Sequence, residues 1–354
     1  MMKDMKHTKY LSAIGIGTLA VLLLASCSGD LQPGDDAGSR PALLQLHSLQ
    51  ASGVSGAATR AVTTHDYPTD RLVGFFVKAD VPNKYPACDN YKGAYDAAGA
   101  MWRPTPDVLL NNHNADIAVY APYDITQTAA GALGMAACLR PADGSKDIWC
   151  KRFTANNQNT GLSLTLEHIY TRLTLTLSRS TDYKEEAALA DISLTGNEIY
   201  ATSVYNLFDT DPYAYDGDRG FSASSTQVLN DASPTASYDL LLIPTATLTG
   251  DLTLAFTVNG QKMRVVIDKG KFAGTGGKLE AGKQYNIDLR LVPGKLEVIS
   301  VTIVKWDTLA EVNGGGAEYV PDIPLAPDGN IDTGGYDPDP DVTTDIKNDT
   351  PEQI

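Results

Sequence analysis

From Arg71 to Trp306 the chain is written in short apolar runs separated by Gly, Pro, Asn and Asp. RLVGFFV, ADIAVYAPY, LSLTLEHIYTRLTLTLS, ADISLTG, SYDLLLIP, DLTLAFTVNGQKMRVVID, KQYNIDLRLV and KLEVISVTIVKW are rich in β-branched and aromatic residues, the composition of strands. Period-two alternation in Leu162-Leu164-Leu166, Leu173-Leu175-Leu177, Ile287-Leu289-Leu291 and Val301-Ile303 gives each of these strands one apolar face. Asn259-Gly260, set between two such runs, predicts a hairpin with a type I′ turn, because both residues tolerate positive φ. An earlier short strand is predicted in ALLQLHSLQ, where Leu44 and Leu46 share a face, and GVSGAATR then breaks the pattern. Helical periodicity is scarce; DYKEEAALADI, residues 182–192, is the best short candidate. Regularly spaced strands with few helices predict an all-β chain of antiparallel sandwiches with Greek-key connections.

The spacing of the runs leaves long loops at 79–107, 125–160 and 206–235. ANNQNTG interrupts the strands near residue 160 and suggests two units, 61–160 and 161–306. Residues 28–42, rich in Gly, Pro and Asp, read as a spacer, so that 27–60 comprises a linker and the first strand. After Trp306 the strand text stops, and from Glu318 to the end there are ten acidic residues, six Pro and one Lys. Residues 307–354 therefore form an acidic, Pro-broken tail that cannot build a core of its own.

At the other end, Lys3, Lys6 and Lys9 precede the apolar run LSAIGIGTLAVLLL, the pattern of a secretory signal over residues 1–26. The run is too short to cross a membrane comfortably, which takes roughly 20 residues. It ends in Leu24-Ala25-Ser26-Cys27, the form of a lipobox, which makes Cys27 the lipidated first residue of an extracytoplasmic, tethered protein. The formal net charge of −15 argues against nucleic acid, whose phosphates need clustered Lys and Arg.

Three further cysteines, Cys88, Cys138 and Cys150, allow one disulfide in an oxidising compartment, and Cys138 with Cys150 close the shortest loop. No zinc-ligand spacing, HExxH, GxSxG or Cys–His signature is present, so neither a catalytic residue nor a cofactor or metal is indicated. His168, inside LEHIYTRL, reads as a packed, hydrogen-bonded strand residue, and Trp149 and Trp306 read as core. Asp209, Asp211, Asp216 and Asp218 lack the calcium-loop spacing and read as a solvated acidic loop. Tyr91, Tyr95 and Trp102 in one long loop, with Tyr213 and Tyr215 in another, serve to pack those loops, to stack on sugars or to anchor a protein interface. Arg60 is flanked by small residues and followed by Ala61, as in an exposed scissile loop, although the segment alone reads more simply as a linker with a solvated Arg.

The ordered set resembles the fimbrillin family of Bacteroidales, the FimA/Mfa-like surface lipoproteins. It comprises the lipobox, Arg60 ahead of the first main strand, DRLVGFFV, ADIAVYAPYD, SLTLEHIYTRLTLTL and LEAGKQYNIDLRL with VTIVKW, over most of 43–306. The resemblance implies two transthyretin-like β-sandwich domains in tandem, a non-enzymatic role and assembly by strand exchange. It implies export to the outer membrane on the Cys27 lipid and cutting by an Arg-specific protease between Arg60 and Ala61. The released strand would carry Leu43, Leu44 and Leu46. The implied partners are other fimbrial subunits, in a homo- or hetero-polymer, with a host or glycan ligand for adhesion. Only Tyr319-Val320-Pro321-Asp322-Ile323 offers a weak donor strand, so stalk, tip and anchor roles stay open. The second reading, from the Tyr- and Trp-rich loops, is a surface glycan-binding lipoprotein.

Overall fold

The computed structural model describes residues 40–54, 62–127, 130–141 and 145–306. Cys27, Arg60, Ala61 and the tail from 307 lie outside them. The first strands are β1 (Ala42–Leu43), β2 (Gln45–Val54), β3 (Val62–Asp66), β4 (Val73–Val77), β5 (Cys88–Asp96), β6 (Met101–Thr105), β7 (Leu109–Leu110) and β8 (Ala115–Ala121). They are followed by β9 (Ala132–Ala136), β10 (Cys138–Leu139), β11 (Trp149–Ala155), β12 (Gly161–His168), β13 (Thr171–Arg179), β14 (Ala187–Thr195), β15 (Tyr200–Asn206) and β16 (Tyr213–Arg219). The chain continues through β17 (Phe221–Ala223), β18 (Gln227–Leu229), β19 (Thr235–Leu242), β20 (Leu252–Val258), β21 (Gln261–Ile267), β22 (Lys283–Val292) and β23 (Lys295–Lys305). One 3₁₀ segment, Lys269–Thr275, lies between β21 and β22.

The all-β class is as the alternation indicates. Three sheets carry most of the chain. The first runs β12-β11-β8-β4-β5-β6-β2-β3, and a further pairing of β12 with β2 closes it into a ring with β3 outside. The second, β10-β19-β13-β22-β23, faces the third, β17-β14-β20-β21, across a core built by Leu173, Leu175, Leu177, Leu254, Phe256, Ile287 and Leu289. A small sheet, β16-β15-β9, covers the junction. Sheet membership changes between His168 and Thr171, and from Arg40 onward the chain holds together as one compact unit. Two ladders are parallel, β2 with β12 and β13 with β22, where the sequence reading had antiparallel strands.

The central strands explain the unbroken apolar runs. In β4, Val73, Phe75 and Val77 point into the ring while Phe76 points out of it. In β8, Ile117 and Val119 point in while Ala118 and Tyr120 point out. The outward set meets Leu241, Ile243, Ile169, Tyr170 and Trp306 in a third core shared by the ring and the sandwich. Strands buried on both faces lose alternation and keep only their β-branched and aromatic composition.

Several expectations change. The stretch 182–192 is no helix: from Ala187 it is β14, whose Ala187, Leu189, Ile192 and Leu194 are buried. A register shift at Asp191, whose φ is 38°, inserts one residue and spaces Leu189 and Ile192 as on a helix. The three long loops contain β5 and β6, β9 to β11, and β16 to β18. The Asn259-Gly260 hairpin is present, joining β20 to β21 with φ of 49° and 81°. Cys138 and Cys150 are free thiols, as is Cys88. Cys138 lies opposite Leu241 and Cys150 opposite Tyr120, in strands of different sheets.

Candidate assembly groove

The ring is closed by one strand near the N-terminus. β2 runs parallel to β12 over Gln45–Ala51, antiparallel to β3 over Gln50–Val54, and touches β6 at Leu46 opposite Trp102. Just ahead of it, β1 pairs with β7. Backbone groups outside these ladders are held too: Leu44 N–H donates to Val108 O at 2.9 Å, and Tyr67 N–H donates to Leu49 O at 2.8 Å. Asn157 Nδ2 donates to the carbonyl of Arg40 at 2.9 Å. These bonds satisfy a backbone that would otherwise be buried unpaired.

Leu44, just ahead of β2, joins Leu46, Leu49 and Ala51 on the inner face, each no more than 2% exposed. They join Val73, Phe75, Ile117, Trp102 and Leu166 in the core of the ring. Tyr67 leans on Trp102 with centroids 5.7 Å apart, and burial pushes its hydroxyl up to about 12. That hydroxyl finds no protein partner among the described residues. Without β2, this lining would be an apolar channel with two open backbone edges, β12 on one side and β3 with β6 on the other. Chemically it can do one thing well, which is to take an extended segment by main-chain hydrogen bonds and apolar pockets.

Sequence reasoning located this strand and two of its four inner residues, Leu44 and Leu46. Leu43 sits in β1, half-buried opposite Leu109, and is not on the inner face. Leu49 and Ala51 were missed because the alternation breaks after Leu46. The segment 55–61, which holds Arg60 and Ala61, connects β2 to β3, whose ladder ends at Val54 opposite Val62.

The wall β12 is pinned at its far end. His168 is 3% exposed and its Nδ1 lies 3.1 Å from the fully buried Asp147. Its ring is stacked on Trp306, and Trp149 tilts over it at 5.2 Å. Arg172 grips Asp239 through two hydrogen bonds of 2.7 and 2.8 Å, and Arg140 adds a third at 3.0 Å. A buried His–Asp pair and a carboxylate shared by two guanidinium groups hold one geometry. His168 is thus a packed strand residue, as its sequence context indicates.

The aromatic residues that suggested glycan stacking turn inward. Trp102 is buried, Tyr91 and Tyr95 pack on the core of the ring, and Tyr213 and Tyr215 belong to β16 and pack on the third core. Tyr213 Oη donates to Ile169 O at 2.8 Å. Asp209, Asp211, Asp216 and Asp218 are exposed, and no group of three or more His, Cys, Asp or Glu that could hold a metal occurs among the described residues.

The chain is similar to a candidate cell adhesion protein of Bacteroides uniformis, at 16% identity over 73% of this chain and 98% of that one, with a TM-score of 0.49. It is similar to the tip fimbrial protein Mfa3 of Porphyromonas gingivalis, determined with a C-terminal truncation, at 11% identity over 75% and 100% of the two chains and a TM-score of 0.41. The fimbrial anchor protein Mfa2 of the same organism is similar at 11% identity over 76% and 99%, with a TM-score of 0.39. No curated protein matches the chain. A fimbrillin-like family model matches residues 59–306, a span that opens in the β2–β3 connection and closes on Trp306. The protein therefore belongs to the fimbrillin-like family, a structural and adhesive family and not an enzymatic one.

Proposed function

We propose that this chain is a subunit of a cell-surface fimbria, carried to the outer membrane as a lipoprotein on Cys27 and made competent for assembly by cleavage between Arg60 and Ala61. Cleavage there severs β2 from β3. Departure of β1 and β2 opens the ring along β12, and a strand from another subunit takes the vacant seat. The observation that carries this reading is that β2, the strand that leads into the Arg60 segment, is the closing stave of the ring, with a fully apolar inner face. The family match, which begins at residue 59, leaves β1 and β2 outside the shared span. The disordering cost of an open edge is offset when an incoming strand restores the ladder.

The test is direct. The purified chain is treated with an Arg-specific protease, its new N-terminus is sequenced, and its size is followed by native electrophoresis in the presence of candidate partner subunits. A new N-terminus at Ala61 with a shift to larger species supports the reading. Cleavage elsewhere, or an N-terminus at Ala61 with no capacity to take up any strand, overturns it.

A further inference from the structure

β2 does not bury its residues in strict alternation. Leu44 and Leu46 are buried, His47 is exposed, and Leu49 and Ala51 are buried after it. The ladder shows why: Leu162 of β12 faces Leu46, but the next residue, Ser163, faces Ser48, so His47 is bulged out of register. The bulge has its own seat. A Cβ at Gly161 would fall 2.6 Å from Cε1 of His47, so the glycine leaves room for the imidazole. The inner face accordingly reads Leu-x-Leu-x-x-Leu-x-Ala over residues 44–51. At its end Ala51 lies opposite Leu166, and both are buried, so the native occupant of this position is a small side chain packed in the core.

We infer that the groove selects a strand running in the direction of β2, with large apolar side chains at its first, third and sixth positions and a small one at its eighth, and that this strand comes from a different subunit and not from a second copy of this chain. The inference rests on the reading of β1 and β2 as a removable segment. Its second half follows from the sequence of residues 307–354, which follow β23 and Trp306. There the only large apolar residues spaced by two are Ile323 and Leu325, and the sixth position is then Asp328. In the opposite direction Leu325, Ile323 and Val320 recover three positions. Glu318 then takes the place of Ala51, and Pro321 and Pro324 remove two N–H donors from the ladder. A carboxylate buried there without a partner opposes insertion strongly. Residues 307–354 therefore offer no strand that fits this groove in a second copy.

Peptide exchange tests this. In the full chain, residues 55–60 are replaced by the recognition sequence of an unrelated protease, so that nicking does not depend on Arg60. Labelled peptides are then added to the nicked protein and followed by fluorescence anisotropy. A peptide of residues 42–54 should enter. The same peptide lacking His47, and one carrying Ala51→Phe, should bind at least about tenfold more weakly, a difference of about 1.4 kcal/mol. A peptide of residues 316–328 should not enter, and the nicked chain alone should stay monomeric on size exclusion. Equal binding without His47, entry of the tail peptide, self-association of the nicked chain, or failure of every peptide to enter would each overturn the inference. Treating the unaltered chain with an Arg-specific protease reports separately on Arg60, and cutting at another site there would leave the selectivity of the groove standing.

Discussion

The imidazole of His168 lies flat on the indole of Trp306, with ring centroids 3.7 Å apart and planes 10° from parallel. His168 is the last residue of β12, the groove wall, and Trp306 directly follows β23 of the sandwich. The guanidinium groups of Arg140 and Arg172 lie 5.6 and 5.9 Å from the centre of the same indole. The Trp306 backbone N–H donates to Gly282 O at 3.0 Å. The stack therefore ties the strand that receives β2 to the end of the second sheet.

Replacing Trp306 by Ala removes a side chain 1% exposed from the third core. The expected loss is about 3–5 kcal/mol, the usual range for a large aromatic truncated in a packed interior. Denaturant unfolding of the intact chain measures it, and Trp306→Phe, which keeps a ring over His168, should recover part of the loss.

Two neighbouring leucines should differ. Leu46→Ala opens a cavity beside Trp102 and should cost about 2–5 kcal/mol, whereas Leu43 is half-buried opposite an exposed Leu109. Leu43→Ala should cost well under about half of that range's midpoint. Equal losses in thermal or denaturant unfolding would contradict the placement of Leu43 in β1.

Gly74 occupies β4 because there is no room for more. A Cβ there would lie 1.9 Å from Cε1 of Tyr120, whose hydroxyl donates to Asn90 Oδ1 at 2.7 Å and accepts from Asp124 N–H at 3.1 Å. Gly74→Ala should destabilise by about 1–3 kcal/mol through overpacking. Combining it with Tyr120→Ala should give less than the sum of the two single losses, as residues in contact couple.

Burial pushes the thiols of Cys88 and Cys150 up to about 12 from the ordinary 9.0, and raises Cys138 as well. A group whose folded value is raised releases its proton first from the unfolded chain. Above about pH 9 the unfolded state thus binds fewer protons, and stability falls as pH rises toward 12. The measurement is the unfolding midpoint in denaturant across that interval. With Cys27→Ser, a thiol reagent at pH 8 should reach half-buried Cys138 first and the buried Cys88 and Cys150 only on unfolding.

Where alternation was regular, the strands were legible before any contact was known: β12, β13, β22 and the β20–β21 hairpin follow from Leu, Ile and Val at period two and from Asn259-Gly260. Where a strand is bulged, the text misleads. Leu46 to Leu49 and Leu189 to Ile192 are both spaced by three, and in each case the partner strand shifts register at that point. One break hid half of the groove face and the other imitated a helix. Strands such as β5 and β16 were hidden for a different reason: Gly, Asn, Asp and Lys dilute them, and no run of period-two apolar residues marks them.

By itself, the sequence determined that this chain is all-β, that it carries the residues of a lipobox and of an Arg-Ala junction, and which apolar faces each regular strand must bury. Those properties are local, set by side-chain chemistry and a period of two. Only the tertiary structure decided that the strand ahead of Arg60 closes a ring, that it runs parallel to β12, and that His47 bulges over Gly161. Pairing partners, direction and register arise from contacts between residues more than a hundred positions apart, and no local pattern encodes which distant edge a strand will meet.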